Sequence, residues 1–188
     1  MADPVVNPHG MVANFDAVNL GPVLTELGIV WQERTTADGR PFIAASIGGA
    51  MSFNIVPTAC NSASGRNCVG AQIFSSYQGV KANAQTVAAF NSKYAFTSAG
   101  MLPESNASYI SRYEIADYGI PRGNVASSLY SFFEVARRFE GEMRTGASTV
   151  SALGYADDLS ASMLNRQSGE TSGVVNASAP SSFAALHQ

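Results

Sequence analysis

Cys60 and Cys68 are the most reactive side chains in the sequence, and they stand eight residues apart around the polar run Asn61-Ser-Ala-Ser-Gly-Arg-Asn67. The run has neither helical nor strand periodicity, so the spacing suits a disulfide that closes a loop. Two unrelated reduced thiols in a cytosolic chain are the alternative. A redox pair ordinarily has CxxC spacing at the start of a helix, where one thiol's pKa is lowered. A zinc site needs four ligands, and without a core histidine only the two cysteines and scattered carboxylates are on offer. The only histidines, His9 and His187, lie near the two ends, which leaves residues 10 to 186 without an imidazole. No metal or cofactor is expected.

Covalent catalysis by Ser, Thr or Cys needs a neighbouring base. Without a core histidine the choices are a carboxylate, the chain's own amine, or one of two lysines, Lys81 and Lys93. GxSxG, GxGxxG, GxxxxGK[ST] and HExxH are all absent, so the hydrolase, dinucleotide, phosphate-loop and zincin readings fail together. Glu33, Glu114 and Asp117 fall on or near strand ends, where they could meet as an acid pair; the plainer reading is a solvated strand face. We therefore expect no catalytic residue.

Composition narrows the partners. The 188 residues are 46% apolar and only 13% charged, with 11 cationic against 14 anionic side chains and a net charge of -3. That suffices for a core, and the cations form no stripe, so nucleic acid is not an expected partner. Apolar stretches such as residues 42 to 60 are broken by polar residues and Pro well before the roughly 18 to 20 residues of a membrane span. Ala2-Asp3-Pro4 reads like the start of a mature secreted chain with an added Met. A periplasmic or secreted location after removal of a signal is expected, with the cytoplasm as the alternative.

The elements that must position these residues follow from periodicity. Residues 1 to 13 read as an extended lead-in. Asn19 to Gly28 has a capping residue, Pro22 in a first turn and a closing glycine, predicting a short helix with Leu20, Val23, Leu24 and Leu27 inward. Residues 29 to 35 and 42 to 47 alternate around an Asp38-Gly39 turn, and a third strand runs from Met51 to near Pro57 after Gly48-Gly49. Strand pattern resumes from Val69 to Tyr77. Ala82 to Tyr94 has helical spacing. A hairpin spans 94 to 102 and 107 to 116 around Pro103-Glu-Ser-Asn106. The most regular helix comes last, from Val125 to Phe139, with Asn124 as its cap. From Arg144 onward Ser, Thr, Gly and Ala supply 24 of 45 residues, so residues 144 to 188 are expected to be mostly disordered. Tyr155 to Leu164 is the exception, spaced for a short amphipathic helix.

This order of elements resembles the YbjN family. The residues that carry the likeness are Gly28, Asp38-Gly39, Gly48-Gly49, Cys60 with Cys68, Phe90-Asn91 where the family commonly has Trp-Asn, and the helix Val125 to Phe139. The likeness spans residues 14 to 143. It implies an α+β fold similar to type III secretion chaperones: an antiparallel sheet of about five to six strands with helices on one face, ordered α-β-β-β-(β)-α-β-β-α. Members are described as sensory transduction regulators, and chains of that fold often pair.

A non-enzymatic protein-binding or regulatory module of the bacterial envelope is therefore the expected function. A structural or stress-related periplasmic protein without a discrete ligand, or an enzyme using carboxylates, is the alternative. A protein or peptide, or a second copy forming a homodimer, is the expected partner, and the aromatic anchors would be Trp31, Tyr109, Tyr113, Tyr130 and Phe133. Phe132 and Phe133 point about 100° apart on a helix, which suggests that one faces an interface.

Overall fold

The computed structural model describes residues 5–49, 51–61, 65–102 and 106–145. Those expected as the tail after Thr145, Tyr155 to Leu164 included, lie outside the described residues, as do the middles of the cysteine loop and of the 103–106 turn. The elements are β1 (Met11–Val12), α1 (Ala17–Glu26), β2 (Ile29–Thr35), β3 (Pro41–Ile47), β4 (Met51–Cys60), β5 (Cys68–Gln78), α2 (Ala84–Lys93), β6 (Ser98–Leu102), β7 (Ala107–Ile115), β8 (Ile120–Pro121) and α3 (Arg122–Thr145). The fold is α+β. Six strands form one antiparallel sheet in the order β2-β3-β4-β5-β7-β6, and β1 and β8 form a separate two-stranded ribbon.

The sheet begins as a meander because Asp38-Gly39 and Gly48-Gly49 sit where tight turns need positive φ; Gly39 is at 85° and Gly49 at 65°. After β5 the chain crosses through α2 to the far edge, forms β6, and returns as β7 between β6 and β5. Asn83 starts α2 with a reciprocal cap: its side chain accepts from Thr86 N–H, and the Thr86 hydroxyl accepts from Asn83 N–H. Expected to end near Pro57, β4 in fact continues to Cys60. The ladder with β3 stops at Ile43 opposite Ile55, so proline's missing N–H leaves no strand bond unmade on that side.

The three helices of the described residues all cover one face of the sheet. Ile29, Ile43, Ala45, Phe53, Ile55, Ala71, Ile73 and Ile110 point into the core from that face. From α3, the Phe133 ring lies 4.9 Å from that of Phe53, and the Phe139 ring lies 4.9 Å from Phe90 of α2. Each such buried ring contributes about 1.5–3 kcal/mol. Phe132 and Phe133 are both buried, which corrects the expectation that one of them faces an interface. Because α3 is flanked by α1 as well as by the sheet, the arc of helix that it buries is wider than a sheet alone would cover.

All three helix starts differ from the sequence reading, α2 by two residues, since it begins at Ala84 and not Ala82. α1 begins at Ala17, with Asp16 and not Asn19 at the cap position, so Pro22 lies beyond the first turn. Val18, whose carbonyl loses its bond to the absent proline N–H, is exposed. α3 begins at Arg122, two residues before the expected cap Asn124, and runs to Thr145.

The lead-in is built into the domain. Val5 and Val12 are buried in the core, and β1 pairs with β8 just ahead of α3. Arg122 donates to both Glu26 carboxylate oxygens at 2.7 Å and, through Nε, to the Val6 carbonyl at 3.0 Å, while Val6 N–H donates back to Glu26. One ion pair thus fastens the lead-in to the end of α1 and the start of α3.

Candidate functional site

The cysteines are joined, with an S–S distance of 2.02 Å. They sit opposite one another where β4 leaves and β5 enters the sheet. Asp16 holds the loop from the other side: its carboxylate accepts from Asn67 N–H at 2.9 Å and Cys68 N–H at 3.3 Å, and Phe15 N–H donates to the Cys68 carbonyl at 2.9 Å. This is why Asp16 stands at the start of α1 without capping it. No sequence pattern pointed to this, since its partners are more than fifty positions away. The bond clamps structure and is compatible with an oxidising compartment.

The sequence-expected anchors divide between core and surface. Trp31, on the helix-covered face of β2, packs so closely on α1 that a Cβ at Gly21 would come within 2.3 Å of its ring. Its Nε1 donates to Thr25 Oγ1 at 3.0 Å. Trp31 is thus a packing residue, and so is Phe133, because both lie on the side where the helices supply the contacts. Tyr130 is exposed on the outer side of α3. Of the five, Tyr109 and Tyr113 come together, four residues apart on β7 and on the face that no helix among the described residues covers.

That open face is built by alternation from Val30, Gln32 and Arg34 of β2, Phe42, Ala44 and Ser46 of β3, Ser52, Asn54 and Val56 of β4, Gln72, Phe74 and Ser76 of β5, and Tyr109, Ser111, Tyr113 and Ile115 of β7. Two glycines let the tyrosines lie down on it. A Cβ at Gly100 of β6 would meet the Tyr109 ring at 2.5 Å, and one at Gly70 of β5 would meet the Tyr113 hydroxyl at 2.2 Å. Each ring covers a glycine on the neighbouring strand and turns its other side outward. Tyr113 also shares a hydrogen bond with Thr58 Oγ1 at 2.8 Å, which fixes its position. Tyr113 and Ile115 remain 53% and 63% exposed. Gly70 and Gly100 were the missed signal: each is a glycine inside a strand pattern, which marks a close approach.

The carboxylates do not form an acid pair. Glu33 is on the outermost strand β2, bound to Arg66 at 2.6 Å, while Glu114 is on β7, four strand spacings or about 19 Å away at ~4.8 Å per strand. Asp117 is exposed beyond the end of β7. Glu114 accepts from Arg112 Nε and from Ser128 Oγ of α3. These residues, with Asn124, Ser127 and Ser131, line a polar cleft of about 300 Å³ between β7 and α3. The Asn124, Ser127, Ser128, Ser131 spacing marks one polar side of a helix. Lys93 pairs with Glu142 at 3.1 Å. Among the described residues, no three Cys, His, Asp or Glu side chains gather as metal ligands, and no helix is long and apolar enough to cross a membrane.

No protein-family model, curated protein or solved structure matches the chain.

Proposed function

We propose that the chain is a non-enzymatic protein-binding or regulatory module of the bacterial envelope, similar to the YbjN-type sensory transduction regulators and to the type III secretion chaperone fold. The observation that carries this reading is the sheet face that no helix among the described residues covers, on which Tyr109 and Tyr113 lie against glycines and Tyr113 is held by Thr58. Rigid, half-exposed tyrosines offer large contact area at little cost in conformational entropy. Polar Ser, Asn and Gln side chains between them supply adaptable hydrogen bonds. The element order α-β-β-β-β-α-β-β-α of the main sheet and its helices supports the likeness to that fold, and the Cys60–Cys68 bond supports a periplasmic or secreted location. The partner is a protein or a peptide.

Affinity capture from a periplasmic fraction tests it. The parent chain should retain one recurrent protein, and a Tyr109→Ser/Tyr113→Ser variant with unchanged circular dichroism should lose it. Retention of nothing by the parent, together with turnover of any substrate in a generic hydrolase panel, would replace the reading with an enzyme.

A further inference from the structure

The sheet has an unfinished edge. β6 pairs with β7 only from Ala107 to Ser111, yet β7 runs on to Ile115 with β5 as its sole strand neighbour among the described residues. The direction of the backbone groups on this free stretch can be read from the bonds around it. Ala99 N–H donates to Asn91 Oδ1 at 2.6 Å, and the Ala99 carbonyl accepts from Asn91 Nδ2 at 2.9 Å. Ala99 therefore faces away from β7, and its partner Ile110 faces β5. Ala116 N–H, bonded to the Val69 carbonyl at 2.7 Å, has the same parity and the same direction. Backbone direction alternates along an antiparallel strand. Tyr109 and Ser111 thus face β6, and Tyr113 and Ile115 face the same way, past the end of β6. Their two N–H and two C=O groups have no hydrogen-bond partner among the described residues.

Space lies on both sides of this edge. On the open face, Gln72, Phe96, Ser98, Tyr109, Ser111 and Tyr113 line a concavity of about 480 Å³. On the helix side lies the polar cleft of Arg112, Glu114 and the α3 serines. Arg112 borders both, its guanidinium 5.3 Å from the centre of the Phe96 ring.

We propose that this stretch of β7, Arg112 to Ile115, is a strand-addition site for an extended peptide segment of a partner protein. The peptide lies in line with β6 and bonds to the outward groups of Tyr113 and Ile115. Its side chains on the open face are apolar or aromatic, to meet Phe96, Tyr109 and Tyr113. Those on the helix side are short and polar, to meet Asn124, Ser127 and Ser131. They carry no charge, because the Glu114 carboxylate is already held by Arg112 and Ser128.

A second copy of the chain fits poorly. Two β7 edges paired antiparallel with Tyr113 opposite Ile115 set Glu114 against Glu114 of the second copy, a like-charge pair. A register with Arg112 opposite Glu114 places Ile115 opposite Ser111, where Ser98 already lies. Sliding the other way sets Tyr113 against Asp117, beyond the end of the strand. An extended peptide meets none of these obstacles.

The proposal rests on the protein-binding reading and is tested separately from it. Random linear peptides displayed on phage are selected against the full chain, and enriched sequences are synthesised. Binding should slow exchange of the Tyr113 and Ile115 amide protons at least tenfold. N-methylation of alternate peptide amides should weaken binding at least tenfold. Ile115→Pro removes one outward donor and leaves the bonds to β5 in place, so it should weaken binding by a similar factor. If that variant does not fold, the N-methylated peptides decide. Peptides that bind without protecting Tyr113 and Ile115, or that bind equally after N-methylation, would overturn the edge site and leave binding elsewhere on the molecule intact. Failure to enrich any peptide overturns the edge site as well, whereas the capture experiment with the tyrosine variant judges the broader reading.

Discussion

Single side chains set several tolerances of this fold. Gly21→Ala forces a methyl group into the Trp31 ring, and overpacking of this kind costs about 1–3 kcal/mol. Trp31 is the one tryptophan of the chain, so its emission maximum should shift together with the urea midpoint. Phe133→Ser removes the ring that packs on Phe53 and buries a hydroxyl in its place. We expect a loss of about 3–5 kcal/mol, read as an unfolding transition at much lower urea; an unchanged midpoint would put Phe133 at the surface. Tyr77 titrates against the fold. Burial pushes its phenol above the ordinary value near 10, so the stability tied to its neutral form is complete below pH 10 and falls as pH rises toward its higher folded value. Tyr77→Phe should flatten the alkaline loss of stability above pH 10, measured by urea denaturation across pH. Most of these sites were legible as apolar positions. Which of them reached the surface was not, because exposure depends on the side from which the helices pack.

At the scale of elements, two devices hold ends that would otherwise fray. Asn91 of α2 occupies the outer peptide groups of Ala99 as a neighbouring strand would, which protects part of the β6 edge from pairing with other chains. Asn91→Ala should leave both Ala99 groups unmet, at a cost of about 1–3 kcal/mol, and should raise amide exchange at Ala99 above that of its neighbours. The Cys60–Cys68 bond closes a short loop, and chain entropy for a loop of this size amounts to about 2.5 kcal/mol. Thiol titration under denaturing, non-reducing conditions should find no free sulfhydryl, and Cys60→Ser/Cys68→Ser should lower stability by an amount of that order. Strand and helix positions were readable from alternation and turn residues to within a few positions. Element ends were less so: Asp16 displaced Asn19 at the cap position of α1, where its carboxylate serves the cysteine loop, and β4 passed through Pro57 because that residue faces a gap in the ladder.

For the molecule as a whole, the lead-in and the tail should behave differently on truncation. Deleting residues 1–13 removes Val5 and Val12 from the core, unpairs β8 and strips Arg122 of a carbonyl partner. The melting transition should fall by at least ten degrees. Ending the chain after Thr145 should leave it within about two degrees, since the core of the described residues closes among themselves; a large fall there would place the tail in the fold. By itself the sequence determined the class of the fold, the order of its main elements, the candidate disulfide and the want of familiar catalytic motifs, because all of these follow from local alternation, helical spacing, turn residues and composition. Only the tertiary structure decided that Trp31 and Phe133 are core while Tyr109 and Tyr113 are surface, that Glu33 and Glu114 stand far apart, and that β7 outruns β6. Those outcomes depend on which strands become neighbours and where each ladder stops, and strand pairing is fixed by contacts between residues distant in the chain.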